Sequence, residues 1–187
     1  MTSPPDTGAA KNTLRERMVA RRRARPAAER AAASAAATTA LLRGLRGARA
    51  VAAFAPDETE LGYGRLPAAF TQLGVRILLP VVPESGRELR WAVDTGRLAP
   101  GRFGLLEPVG PRLGPTAIGT ADVVVVPALA VARDGARLGR GGGYYDRAQL
   151  LGYGLGGRQE PGAHPRHGDD GLACRSGALA RHGPQPN

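Results

Sequence analysis

Four consecutive valines, Val123, Val124, Val125 and Val126, bounded by Asp122 and Pro127, constrain the fold more than any other stretch of this 187-residue chain. A β-branched run of that length reads as a strand buried on both faces, the setting of a parallel sheet with helices above and below it. Other segments agree. Residues 11–25 carry a helical pattern with Leu14 and Met18 at i, i+4. Pro26 opens a second, Ala-rich helix over about residues 27–42, closed near Gly44. Residues 50–54 and 75–79 read as short buried strands, the first ended by Pro56 and the second stopped by Pro80. A helix over about residues 66–73, closed by Gly74, fits between them. Residues 88–93 alternate polar and apolar, as a third, half-exposed strand does. Such alternation of strands and helices predicts the α/β class: a three-layer α/β/α sandwich with a mostly parallel sheet, in one domain over residues 11–150.

The ends read differently. Residues 1–10 are rich in Pro, Gly and Thr and are expected to be disordered. They hold no apolar signal-like core, and no apolar run approaches the roughly 20 residues of a membrane helix. With Cys174 as the only cysteine, no internal disulfide forms, so a cytoplasmic location without membrane contact is expected. Residues 151–187 are rich in Gly, Pro, Arg and His and have no strand-length apolar run, so a disordered tail is expected there. His164, His167, His182 and Cys174 all fall in it, with a spacing that matches no standard zinc pattern.

A net charge of +10 raises the question of nucleic acid. Arg15, Arg17, Arg21, Arg22, Arg23 and Arg25 form a dense cluster with few aromatics between them. Lys11 is the only lysine, which points to a GC-rich coding bias more than to a binding surface. A solvated helix face accounts for most of these arginines, and a polyanionic small ligand for one or two. Nucleic-acid binding is the weaker alternative.

The chemistry concentrates in Arg137, Leu138, Gly139, Arg140, Gly141, Gly142, Gly143, Tyr144, Tyr145, Asp146 and Arg147. Glycines let main-chain N–H groups close on an anion, and guanidinium forks match phosphate oxygens. A helix starting near Tyr144 adds its own N–H groups and dipole. Asp146 offers a hard oxygen of the kind Mg²⁺ accepts, though a first-turn acid is also an ordinary structural feature. The loop lacks the Lys-Ser/Thr ending of a Walker loop and the spacing of a dinucleotide fingerprint. Asp57, Glu58, Thr59 and Glu60 follow the first strand, at the sheet edge where open α/β folds bind ligands.

The loop from Leu138 to Asp146 resembles the signature of the 5-formyltetrahydrofolate cyclo-ligases, also called methenyltetrahydrofolate synthetases. Four more segments resemble that family in order: Lys11-Asn12-Thr13-Leu14-Arg15, Leu78-Leu79-Pro80-Val81-Val82, Gly101 to Pro108, and Val125 to Ala130. The resemblance implies an ATP- and Mg²⁺-dependent ligase, expected as a monomer, that turns 5-formyltetrahydrofolate into 5,10-methenyltetrahydrofolate with release of ADP and phosphate. It implies that Lys11, Arg15, Arg137, Leu138, Gly139, Arg140, Gly141, Gly142, Gly143, Tyr144 and Tyr145 bind ATP. Glu60, with Glu58 as competitor, would contact the folate, as would Arg140, Gly141, Gly142, Gly143 and Tyr144. Arg140 and Tyr144 would be catalytic, and Asp146 would hold the metal. Trp91 and Phe103 are equally readable as folate-pocket lining and as core.

Past about residue 149 the family's remaining motifs and its second metal carboxylate have no counterpart; Asp169 and Asp170 are the nearest acidic pair. The text there resembles GC-rich DNA translated in a shifted frame, with a divergent tail as the alternative. Missing C-terminal strands would expose apolar sheet, so the chain is expected to be unstable or inactive as made, or to survive as a non-catalytic nucleotide-binding remnant.

Overall fold

Helices α1 (Thr7–Arg23) and α2 (Ala27–Gly44) lead into β1 (Ala50–Ala52), the short helix α3 (Ala68–Thr71), β2 (Arg76–Val81) and β3 (Arg90–Val93). The hairpin of β4 (Leu98–Pro100) and β5 (Leu106–Pro108) follows, then β6 (Arg112–Leu113) and β7 (Val123–Pro127). A second small hairpin, β8 (Ala130–Val131) with β9 (Arg137–Leu138), precedes α4 (Tyr144–Gly154), and β10 (Gly177–Arg181) comes last. This computed structural model describes residues 7–154 and 177–181.

The main sheet has the order β10-β7-β1-β2-β3-β6. β7, β1 and β2 are mutually parallel, while β3 is antiparallel to β2 and β6 to β3. Four of the six strands therefore run one way, and the antiparallel members sit at the flanks. The period-2 geometry of a strand sends alternate side chains to opposite faces. Val51, Ile77, Leu79, Val123 and Val125 pack on one face with Leu41 and Leu42 of α2 and Phe70 of α3. Ala52, Leu78, Val124 and Val126 pack on the other with Trp91, Ile118 and Ala148 of α4. This is the three-layer α/β/α sandwich predicted for the class. Each such Val or Leu, once fully buried, contributes about 1.5–3 kcal/mol. Asp122 fixes the register from outside the sheet, accepting the N–H groups of Arg49 at 2.7 Å and Ala50 at 2.9 Å.

Several local expectations are corrected. Helix α1 begins at Thr7, so residues 7–10 are helical; residues 1–6 lie outside the described residues. Leu14 is 39% exposed, and the inward stripe is instead Arg15, Met18, Val19 and Arg22. Two of those four are arginines, so the i, i+4 apolar pair did not mark the buried face. Pro80 does not stop β2, which runs on to Val81. Ala53 donates to the Leu78 carbonyl, so Leu78 and Pro80 turn their main-chain groups toward β1, and Leu79 turns its toward β3. Pro80 has no N–H to return to Ala53, and the parallel ladder ends at Ala52. Into β3 the alternation holds from Glu88 to Trp91, exposed and buried in turn, and fails only at Ala92, which is buried beside Trp91. Helix α3 is one turn long, starting after Pro67 and ending at Thr71.

Helix α4 continues past Leu150 to Gly154. The tail, read as strandless, supplies β10, which pairs antiparallel with all five residues of β7. Main-chain pairing along an open edge needs no strong β-propensity from the added segment. His164, His167, His182, Cys174, Asp169 and Asp170 lie outside the described residues. No helix among those described is long and apolar enough to cross a membrane.

Candidate functional site

The parallel strands β1 and β7 are neighbours, yet β1 connects onward to β2 on its other side. That reversal of direction leaves a crevice at their C-terminal ends, where open α/β sheets receive ligands. Residues 57–60 rise from the end of β1. The β8–β9 hairpin and the Gly-rich loop rise from the end of β7.

The loop after β1 is held by its own side chains. Asp57 Oδ1 accepts from Thr59 N at 2.8 Å and Thr59 Oγ1 at 2.7 Å, and Asp57 N donates to Glu60 Oε2 at 3.1 Å. The other Asp57 oxygen pairs with the Arg140 guanidinium. Arg140 also approaches Glu60 Oε1 and Thr59 Oγ1, each at 3.4 Å. Glu60 is nearly buried, with 10% of its side chain exposed. Burial first, and then the Asp57 charge, push its carboxyl above the ordinary value, against the Asp57 N–H hydrogen bond and the pull of Arg140 and Arg22. Glu58 is exposed, so Glu60 is the carboxylate directed at the loop.

The Gly-rich loop crosses above this cluster. Gly141 and Gly143 have φ of 100° and 68°, which glycine adopts without strain. A Cβ on Gly141 would lie 3.4 Å from Cζ of Arg15, which donates through Nε to the Gly139 carbonyl at 3.0 Å. Arg15 is therefore at the loop as predicted. Lys11 lies one turn earlier on α1 and is exposed. Helix α4 begins at Tyr144, so the N–H groups of its first turn face the same loop. Tyr144 and Tyr145 are half-buried. Tyr145 packs against both core clusters. Burial first, then the Glu60 charge, push its phenol above the ordinary value, so it stays protonated. Arg137, only 12% exposed, pairs with Asp146 and donates to Gln149 Oε1 at 3.1 Å. Asp146 itself is 73% exposed.

Arg22 is a cleft-lining residue that composition hides. Composition places it among arginines of a solvated helix face, yet it is half-buried and donates to the carbonyls of Ala128 at 2.5 Å and Leu129 at 2.9 Å. Its seven-residue separation from Arg15, two helical turns, was the available signal. A small cleft lined by Arg22, Arg25, Thr59, Glu60 and Leu61 joins it to the loop after β1. Trp91 is fully buried and belongs to the core, whereas Phe103 is 71% exposed at a positive φ of 59°. Gly101 is required where it stands, since a Cβ there would lie 2.4 Å from the side chain of buried Glu107.

Fold and crevice together define an α/β protein whose Gly- and Arg-rich loop faces a nearly buried carboxylate. The profile of the 5-formyltetrahydrofolate cyclo-ligase family matches residues 7–158, and the chain belongs to that family of ligases. It is 42% identical over 143 residues to a 5-formyltetrahydrofolate cyclo-ligase of Mycolicibacterium smegmatis, covering 73% of each chain. Its structure is similar to the NMR structure of Aquifex aeolicus 5,10-methenyltetrahydrofolate synthetase, with a TM-score of 0.61, 29% identity, and 75% of this chain and 72% of that one covered. A second likeness, to the Mycoplasma pneumoniae 5,10-methenyltetrahydrofolate synthetase, has a TM-score of 0.55 at 20% identity over 75% and 77% of the two chains, and bears on the fold alone.

Proposed function

We propose that this chain converts 5-formyltetrahydrofolate to 5,10-methenyltetrahydrofolate, consuming ATP with Mg²⁺ and releasing ADP and phosphate. One observation carries the reading: a single guanidinium, Arg140, belongs to the Gly-rich loop and reaches Glu60 across the crevice. Anion-gripping groups and a carboxylate suited to a pterin's paired N–H groups thus share one partner.

Lys11, Arg15, Arg137 and the N–H groups of residues 138–145 would hold the triphosphate, whose oxygens replace the carboxylates now paired with Arg137 and Arg140. Glu60 would accept from the pterin, with Phe103 exposed for contact with the folate. The formamide oxygen attacks the γ-phosphorus and ADP leaves. The N10 amine then attacks the resulting imidate phosphate, phosphate departs with the C–O bond, N10 gives up its proton, and the ring is closed. Arg140 would neutralise the charge on the transferred group, and the Tyr144 hydroxyl would donate a hydrogen bond to it. The chain's part is mainly orientation and charge stabilisation.

Asp146 suits Mg²⁺ carried by the nucleotide: it is an exposed hard carboxylate in the first turn of α4, beside the loop. Among the described residues no three His, Cys, Asp or Glu side chains group to form a metal cage. One or two carboxylates with phosphate oxygens and water is the usual Mg²⁺ arrangement at such sites. Bound there, the ion would offset phosphate charge. We assign the protein to the cytoplasm and to a monomeric state on the same reading. Purified chain with ATP, MgCl₂ and 5-formyltetrahydrofolate should develop the absorbance of the methenyl product. Its absence, with ATP binding retained by calorimetry, would leave the nucleotide-binding remnant as the better account.

A further inference from the structure

The reaction so far uses Arg15 and leaves unexplained why α1 carries a second inward arginine two turns on. An arginine in that position is unfavourable by default, because burying a guanidinium without partners costs several kcal/mol. Arg22 offsets this with two carbonyls at the end of β7, more than a hundred residues away in sequence. Both acceptors are neutral, so the guanidinium's charge is not cancelled by them. Glu60 and Asp57 are opposite charges close enough to act on it, and Arg22 and Glu60 line one cleft.

We propose that Arg22 is a positioning residue for the folate side of the site: it supplies the fixed positive charge against which the Glu60 carboxylate is held, and locks that charge in place through the Ala128 and Leu129 carbonyls. This rests on the reading of Glu60 as the pterin acceptor. The division of labour follows from what Arg140 must do. Arg140 pairs with Asp57 and Glu60, but a phosphate would draw it to the nucleotide. Glu60 would then lose its exposed counter-charge just when the pterin needs an ionised acceptor. Arg22, bonded to the Ala128 and Leu129 carbonyls, stays behind. The groups facing Glu60 are the Asp57 carboxylate, which disfavours its charge, the Asp57 N–H, Arg140 and Arg22, which favour it, the neutral Tyr145 phenol, and Arg25 and Arg30, which line the same cleft.

The test is calorimetric binding of 5-formyltetrahydrofolate in the presence of a non-hydrolysable ATP analogue and Mg²⁺, from pH 5 to 8, to the full chain and its Arg22→Gln and Arg22→Lys variants. Loss of the fixed cation beside Glu60 predicts about 10-fold weaker folate binding in Arg22→Gln. Affinity for the ATP analogue should change by less than about three-fold, because Arg15 and the loop are untouched. Removing a cation raises a neighbouring carboxyl's pKa, so the acid-side midpoint of folate affinity moves to higher pH in Arg22→Gln. It stays near the parent's in Arg22→Lys, which keeps the charge and gives the readout even if Arg22→Gln folds poorly. A purely structural arginine would weaken both ligands together and leave the midpoint unmoved; that result, or unchanged folate binding in Arg22→Gln, overturns the proposal. If the parent chain binds ATP but no folate at any pH, the pterin reading of Glu60 fails and this inference with it.

Discussion

Arg140 and Glu60, eighty positions apart in sequence, meet at 3.4 Å across the crevice between the ends of β1 and β7. The contact joins an exposed cation to a nearly buried anion whose carboxyl is held above its ordinary value. Such an anion is maintained at a cost to the fold, and the cost is measurable.

Glu60→Gln should therefore separate stability from ligand binding. A carboxyl whose folded pKa is raised binds protons more readily folded than unfolded, so stability falls as pH rises from the ordinary carboxylate range through the raised folded value. Above that window Glu60→Gln should melt at a higher temperature than the parent, and the difference should shrink as the pH is lowered through it. Folate affinity should drop about 10- to 100-fold in the same variant. Melting curves at several pH values, with folate titrations at neutral pH, check both; a variant that melts lower than the parent at neutral pH would contradict the burial argument.

Asp122 should behave in the opposite sense. Burial opposes its charge, but the N–H groups of Ala50 and Arg49 and the Arg49 guanidinium prevail and hold its carboxyl below the ordinary value. Its contribution is present above the ordinary carboxylate range and is lost as pH falls through the lowered folded value. Asp122→Ala should cost about 1–3 kcal/mol by leaving two strand-end donors without a protein acceptor. Urea unfolding at neutral and acidic pH measures it, and the gap between variant and parent should narrow in acid.

Gly143→Ala tests the loop conformation. At a φ of 68° an alanine is strained, and its Cβ would sit 2.7 Å from a terminal nitrogen of Arg147, which can swing away. A strain of about 1–3 kcal/mol is expected, felt chiefly as weaker ATP binding because the loop is exposed and can relax. Calorimetry with ATP and Mg²⁺ should give a loss of about 5- to 100-fold, with thermal stability little changed.

Asp146→Asn should raise the Mg²⁺ concentration giving half-maximal turnover while leaving the melting temperature close to the parent's. Its pair with Arg137 is largely exposed on the acid side and contributes little to stability. Excess chelator should abolish turnover in both proteins, with recovery on adding Mg²⁺.

Much of this was legible in the chain itself. The valine run dictated a strand buried on both faces, and Val123, Val124, Val125 and Val126 are all buried. The Gly-rich loop, Arg15 and Glu60 were named from motif and position, and Arg15 and Arg140 do converge on that loop and that carboxylate. Leu14 and Arg22 show why the rest was hidden. Helical periodicity assumes that apolar residues face inward, but α1 is docked partly by guanidinium–carbonyl bonds, so its buried stripe reads as polar. Pro80 misled for a related reason: a missing N–H matters only on the side where a ladder bond was due. Pairing of β10 depends on an edge made by distant residues and leaves almost no mark in its own five.

The parallel pairing of β1 with β7 has a temporal consequence. Val51 must find Val123 across the whole intervening chain before Asp57 can meet Arg140. Closing so long a loop is slow compared with forming the helices and hairpins on either side. Chemical competence is thus among the last properties a refolding molecule acquires, and recovered turnover would clock the crossover itself, well after helical signal has returned.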